Sequence, residues 1–127
     1  MPARGEHDLV RYLTTGINLK ATGQTLMVPV QPGRKFLPTA VYLQLTTVTA
    51  YAVTAAIVRL GNNGTFNNVA PLLTVVLTST TDQIIAIPLN AIPSAIDIGS
   101  TGISLDVQTA GAATTLTATL HVVGILI

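Results

Sequence analysis

Two histidines and five carboxylates are all that the chain offers for acid–base or metal chemistry: His7 and His121, with Glu6, Asp8, Asp82, Asp97 and Asp106. A hydrolytic centre needs a nucleophile, a base and a group that orients the base. His7 stands in a charged N-terminal segment. His121 alternates with Leu120 and Val122, which on a strand turns its ring toward an outer or intersubunit face. No Gly-x-Ser-x-Gly turn occurs. Glu6-His7-Asp8 places three ligand types in a row, but neighbours on an extended chain point in different directions and no second cluster completes a site. Asp82, Asp97 and Asp106 lie too far apart to suggest the carboxylate pair of glycoside chemistry and read as solvated loop acids. The expectation is therefore no enzyme, no catalytic or metal site and no cofactor.

Binding chemistry is only slightly better supplied. Pro32-Gly33-Arg34-Lys35-Phe36 sets two cations beside an aromatic ring, a grouping that can meet phosphate and base in a nucleic-acid groove. The net charge of +1 is too small for an electrostatic footprint of that kind. The segment reads instead as a turn whose charges are solvated or paired to a neighbouring subunit, and no nucleic-acid partner is expected. With no Trp and 4% aromatic residues, the stacking platforms of carbohydrate binding are missing. Asn63-Gly64-Thr65 matches a glycosylation acceptor and reads as turn chemistry. All six basic residues, Arg4, Arg11, Lys20, Arg34, Lys35 and Arg59, precede position 60, opposed there only by Glu6 and Asp8; the remaining charges are the three later aspartates. Such asymmetry can steer a basic end onto an acidic partner, although a few scattered charges also segregate by chance. The residues expected to touch a partner are Arg4, Glu6, His7, Asp8 and Arg11 in the N-terminal segment, and Arg34 and Lys35 in the turn.

The elements that must position these groups follow from composition and period. A length of 127 residues suits one domain with one core. Hydrophobic residues make up 49%, charged residues only 9%, and Thr occurs 20 times, a composition that excludes ordinary disorder and leaves much surface to be covered by neighbours. Absence of Cys excludes disulfides and thiolate metal sites. The N-terminus lacks the apolar run of a signal peptide, so secretion by that route is not expected. Residues 107–127 carry no formal charge and equal a spanning helix in length, but scattered Gln, Thr and His with Gly111 and Gly124 interrupt them, and no membrane span is expected.

No helical period is sustained, whereas alternation of two recurs. Val41, Leu43 and Leu45 share one face, as do Ile103, Leu105 and Val107 against Ser104, Asp106 and Gln108, and Leu116, Ala118, Leu120 and Val122 against Thr117, Thr119 and His121. Each reads as a strand with one side on a core and one toward water. Further strands are expected over residues 9–13, 17–20, 25–30, 52–60, 72–78 and 83–87, separated by Gly-, Asn- and Pro-rich turns, with Gly61 to Gly64 as a hairpin tip. Asn68 could instead cap a short helix, and the stretch from Pro88 to Pro93 reads as an irregular crossover between sheets. Such a crossover favours a jelly roll, so the predicted fold is an all-β, single-domain antiparallel sandwich over 9–127 behind an N-terminal arm, 1–8.

With its charged N-terminal arm, its Thr/Ala/Val-rich strands such as 41–49 and 116–123, and no cysteine, the chain resembles the capsid decoration (cement) proteins of tailed bacteriophages. The resemblance implies a virion protein, commonly a trimer on the outside of the head, whose partner is the major capsid protein or another virion subunit. It assigns no individual residue. A tail, head-fibre or minor capsid component is the nearest alternative, and a host-surface or glycan-binding sandwich module the next. A homo-oligomer, trimer first, is predicted from the resemblance and from the sparse surface charge. Light scattering should report an oligomer; a stable soluble monomer at high concentration, with no partner, contradicts it.

Overall fold

Alternating β-branched and polar residues set the architecture of the chain, seen in a computed structural model that describes residues 8–49, 54–75, 83–90 and 94–127. Nine strands are assigned there: β1 (Asp8–Asn18), β2 (Gly23–Val28), β3 (Lys35–Thr49), β4 (Ile57–Gly61), β5 (Ala70–Thr74), β6 (Gln83–Ala86), β7 (Ile96–Asp97), β8 (Ile103–Thr109) and β9 (Thr115–Leu126). They form two antiparallel sheets. The first has the order β1-β9-β3-β6, with β7 also on β3; the second has the order β2-β8-β4-β5. Among the described residues there is no helix, and therefore none long and apolar enough to cross a membrane.

The strands β6 and β7 behave as one interrupted strand. Both run antiparallel along the same edge of β3, β6 against Tyr42 to Leu45 and β7 against Lys35 and Phe36. Counting them once leaves eight strands in two interleaved sheets, the arrangement of a jelly roll. Successive strands change sheet except at the β4–β5 hairpin and the β6–β7 break. The expected fold is present, but not for the expected reason. Residues 87–90, which include Pro88, leave the ladder within one edge strand instead of crossing between sheets. An edge position tolerates the missing proline N–H. Ile87 stays attached through its N–H to the Val41 carbonyl at 2.9 Å. Residues 91–93 lie outside the described residues.

Two further expectations are corrected. The segments 9–13 and 17–20 are not separate strands: β1 is continuous, with a register shift between Thr14 and Ile17 where Gly16 adopts φ 68°. Glycine takes that left-handed conformation without a Cβ penalty, so the strand bulges and continues. Asn68 caps no helix. Its Oδ1 accepts the Asn62 N–H and its Nδ2 donates to Asn62 Oδ1, both at 2.8 Å, pinning the broad loop 62–69 that joins β4 to β5. The Gln31–Arg34 turn is as expected: the Arg34 N–H reaches the Gln31 carbonyl at 3.1 Å, with Gly33 at φ 75°, the geometry for which Pro-Gly is suited.

The inward positions fill the space between the sheets. Val41, Leu43 and Leu45 of β3, Leu116, Ala118, Leu120 and Val122 of β9, and Ile103, Leu105 and Val107 of β8 are all buried, as their alternation predicts. Each large side chain so buried contributes about 1.5–3 kcal/mol. Phe36 closes one end, its ring edge-on to Tyr12 at 5.8 Å, and the Tyr12 hydroxyl accepts from Gln31 Nε2 at 2.7 Å. Gly124 makes this closure possible. A Cβ there would collide with the Leu37 carbonyl and the Phe36 ring. Gly124→Ala should therefore lower unfolding free energy by about 1–3 kcal/mol, while Gly64→Ala, at a loop position with open space around it, should leave it within about 0.5 kcal/mol. Urea unfolding followed by circular dichroism checks both.

Candidate functional site

Inward positions of the first sheet face the core, so every second residue of β1, β9, β3 and β6 projects outward. In an ordinary one-sided sheet those residues would be polar. Here most are not. Register aligns Leu9, Ile125 and Leu37 in one cross-strand row, Arg11 and Val123 in the next, then Leu13, His121, Tyr42 and Ala86, then Thr119, Gln44 and Ile84. Leu9 is 75% exposed, Ile84 65%, Leu13 54% and Tyr42 41%, so half of the eight exposed large hydrophobics among the described residues lie on this one face. Clustered exposed apolar side chains are a common feature of interaction surfaces. The outer face of the second sheet is more mixed, with Gln24, Ser104, Arg59 and Asp106 among Leu26, Ile57 and Leu72.

A polar chain crosses the middle of the apolar face. Arg11 Nη2 lies 2.6 Å from His121 Nδ1, and His121 Nε2 lies 3.1 Å from Gln44 Oε1. A guanidinium can only donate, so Nδ1 must accept, and Nε2–H then donates to Gln44. The contacts thus select one neutral tautomer of His121 and fix its ring. Beside it is a depression of about 280 Å³ lined by Tyr42, Gln44, Ile84 and His121, and a second of about 290 Å³ lies on the other side of Tyr42, against Ala86 and Leu89. Tyr42 lines both hollows.

The residues expected to touch a partner are distributed differently. Arg4, Glu6 and His7 lie outside the described residues. Asp8 opens β1 and meets Arg34 within the chain, Oδ2 to Nη2 at 3.7 Å, while Arg34 Nε donates to the Ile127 carbonyl at 3.2 Å. These contacts tie the start of β1 and the residue after β9 to the Gln31–Arg34 turn. Lys35 begins β3, exposed, opposite Asp97. Of the expected set, Arg11 stands among the apolar rows and Lys35 at the outward start of β3 beside them. Sequence reasoning missed the partners of Arg11 on that face, Leu9, Leu13, Tyr42, Gln44 and Ile84. The signal that could have found them is failed alternation: Leu9-Val10, Tyr12-Leu13, Val122-Val123 and Ile84-Ile85 put apolar side chains on both sides of one strand.

Asp106 corrects a second expectation. It is no solvated loop acid: it sits mid-strand in β8, 4% exposed on the outer side of the second sheet. Arg59 Nε reaches its Oδ2 at 2.6 Å and Gln24 Nε2 its Oδ1 at 2.8 Å, so one carboxylate ties β4 and β2 to β8. Arrangement in a row across three strands, without a nucleophile or open cleft, makes this a brace. Among the described residues no three of His, Asp and Glu gather as metal ligands.

No protein-family model matches the chain, and no curated protein matches it. Among solved structures, one chain of the "Cyanophage Pam1 capsid asymmetric unit" superposes with a TM-score of 0.66 at 14% sequence identity, over 100% of this chain and 91% of that one. What the two share is the fold.

The polar chain on the apolar face gives a direct prediction. Two-bond nitrogen–proton correlation spectra at neutral pH should show His121 as the Nε2–H tautomer, and Arg11→Ala should release that bias by removing the donor to Nδ1. A predominant Nδ1–H form in the intact protein contradicts the contact.

Proposed function

We propose that this chain is a structural protein of a bacteriophage virion, and within it a capsid decoration protein that binds the assembled head and holds neighbouring major capsid subunits together. The observation that carries the reading is the full-length jelly-roll match to a chain of a phage capsid asymmetric unit. That neighbour is scarcely longer than this chain, so the likeness is to one small single-domain component. The apolar outer face of the first sheet supports it, because interfaces of permanent assemblies are more apolar than transient ones. The chain acts by binding and performs no catalysis. It assembles as a trimer, and residues 1–8 with Arg4, Glu6 and His7 add a second attachment next to the Asp8–Arg34 pair.

Co-purification tests this reading. The protein should be found on intact particles in many copies per head, in fixed ratio to the major capsid subunit; a few copies per particle place it in a tail or fibre instead, and absence overturns the virion reading. Removing residues 1–8 should leave the β-fold intact by circular dichroism and weaken particle attachment, with added salt weakening the full chain further. Equal attachment by the truncated protein excludes a role for the arm.

A further inference from the structure

Six asparagines occur in the chain, and Asn63 is the one followed by glycine. Asn63 and Gly64 lie in the loop from β4 to β5, and both are exposed. The Phe66 N–H donates to the Asn63 carbonyl at 3.1 Å, which makes Gly64 and Thr65 the central residues of a turn and leaves Phe66 in the left-handed region at φ 51°. The side-chain carbon Cγ of an asparagine is one ring closure away from the next backbone nitrogen, and such intramolecular attack has a large advantage over attack from solution. A Cβ on the following residue obstructs the approach. Gly64 has none, and nothing stands within 4 Å of where one would be. The Gly64 N–H also donates to no group among the described residues, so no bond retains the proton that must leave. Asn18, Asn62, Asn67, Asn68 and Asn90 precede Leu, Asn, Asn, Val and Ala, each of which carries the obstructing Cβ. What opposes attack at Asn63 is the hold on its side chain. Oδ1 accepts the Asn67 N–H at 2.9 Å, and Nδ2 donates to Asn67 Oδ1 at 2.8 Å. Asn67 is itself fixed, because Thr65 Oγ1 donates to the same Oδ1 at 2.8 Å and Asn90 Nδ2 to its carbonyl at 3.4 Å. Both bonds aim the Asn63 amide at Asn67, and ring closure needs Cγ turned onto the Gly64 nitrogen.

We propose that Asn63 is a self-modification site: it deamidates spontaneously through a cyclic imide with Gly64, at a rate that the clasp of Asn67 holds down. Water is the co-reactant. The Gly64 nitrogen gives its proton to a base in solution and bonds to Asn63 Cγ; the bond from Cγ to Nδ2 then breaks, and the nitrogen takes up protons and departs as ammonia. Water next opens the ring at one of its two carbonyls. Attack at Cγ restores the original main chain with an aspartate at position 63, while attack at the main-chain carbonyl leaves the chain running through Cγ as isoaspartate. No oxidant or reductant takes part. Either product carries a new carboxylate, which lowers the formal net charge from +1 to zero in a chain with only eleven charged residues. It also loses the Nδ2–H donor to Asn67 Oδ1, so one of the two bonds across the loop disappears. The isoaspartate form further lengthens the main chain inside the turn closed by Phe66.

The test incubates the full chain in mildly alkaline buffer, native and unfolded in urea, and follows position 63 by mass spectrometry. Chymotryptic cleavage after Leu60 and Phe66 isolates residues 61–66, in which fragmentation separates Asn62 from Asn63 and chromatography separates aspartate from isoaspartate. The native chain should convert at position 63 ahead of every other asparagine, yield both products, and convert faster as pH rises. The urea-unfolded chain should convert several-fold faster, because the clasp is gone. Gly64→Ala, which the open space around that position allows to fold, should slow conversion by roughly 10-fold or more by obstructing the attack. Asn67→Ala should speed it several-fold while circular dichroism shows the β-fold retained. Conversion first at another asparagine, or an undiminished rate in Gly64→Ala, overturns the assigned site and its chemistry. Equal rates in the native and unfolded chains, or no gain in a folded Asn67→Ala, overturn the role of the clasp. Neither result touches the virion reading, which rests on the fold.

Discussion

Twelve residue pairs join β3 to β9, from Phe36–Leu126 at one end to Thr49–Thr115 at the other, and nearly everything else depends on that ladder. Its inward positions supply Phe36, Val41, Leu43 and Leu45 from one strand and Leu116, Ala118, Leu120 and Val122 from the other, the floor of the core. Its free edges receive β1 on one side and β6 and β7 on the other. Paired residues are sixty-six to ninety positions apart in sequence, so the chain must close a long loop before this ladder stabilises anything. Slow folding is the ordinary consequence of such topology. The two register shifts in the ladder, between Pro38 and Ala40 and between Leu45 and Thr47, let strands of unequal length stay paired while the sheet twists.

The ladder also decides what the outer face looks like. Once Leu43 and Leu120 are opposed in the core, Tyr42 and His121 must oppose each other outside, and Leu13 of β1 falls into the same row. No freedom remains to hide them: a one-residue slip would expose the core residues instead. The polar chain of Arg11, His121 and Gln44 therefore arises from three strands brought into register by burial on the opposite side. Its members come from sequence positions 11, 44 and 121, which no local pattern connects.

That distance explains what the sequence reveals and what it conceals. Alternation identified the buried residues of β3, β8 and β9 because core burial acts on each strand separately. It could not distinguish a water-facing strand position from one covered by neighbours, and Asp106 is the clear case: its place on the same face as Ser104 and Gln108 looked solvated, yet Gln24 and Arg59 from adjacent strands close over it. The gap between the expected strands 9–13 and 17–20 contains Gly16, and a lone glycine there signals either a turn or a bulge; only pairing with β9 on both sides of it decides. Asn68 misled for a related reason. A capping side chain and a loop-bracing side chain use the same short amide, and here its partner is Asn62, across the hairpin loop, not the backbone three residues ahead.

A chain with so few charges cannot protect its sheet edges in the usual manner, with lysines along the open strand. Other devices take their place. The edge strand β6 is four residues long and its continuation β7 only two, separated by the irregular segment that begins at Ile87-Pro88. Edge strand β5 is five residues with Pro71 in it, and the edge strand β2 is six. The long edge is β1, with eleven residues, and there the Gly16 bulge interrupts the row of free N–H and C=O groups while Asp8 and Arg34 pair at its start. Brevity, proline and a bulge disrupt edge-to-edge addition without adding charge. The outer apolar rows thus carry Arg11 alone among charges, with Lys35 and Asp97 beyond them at the start of β3, and recognition of that face falls to side chains instead of open backbone.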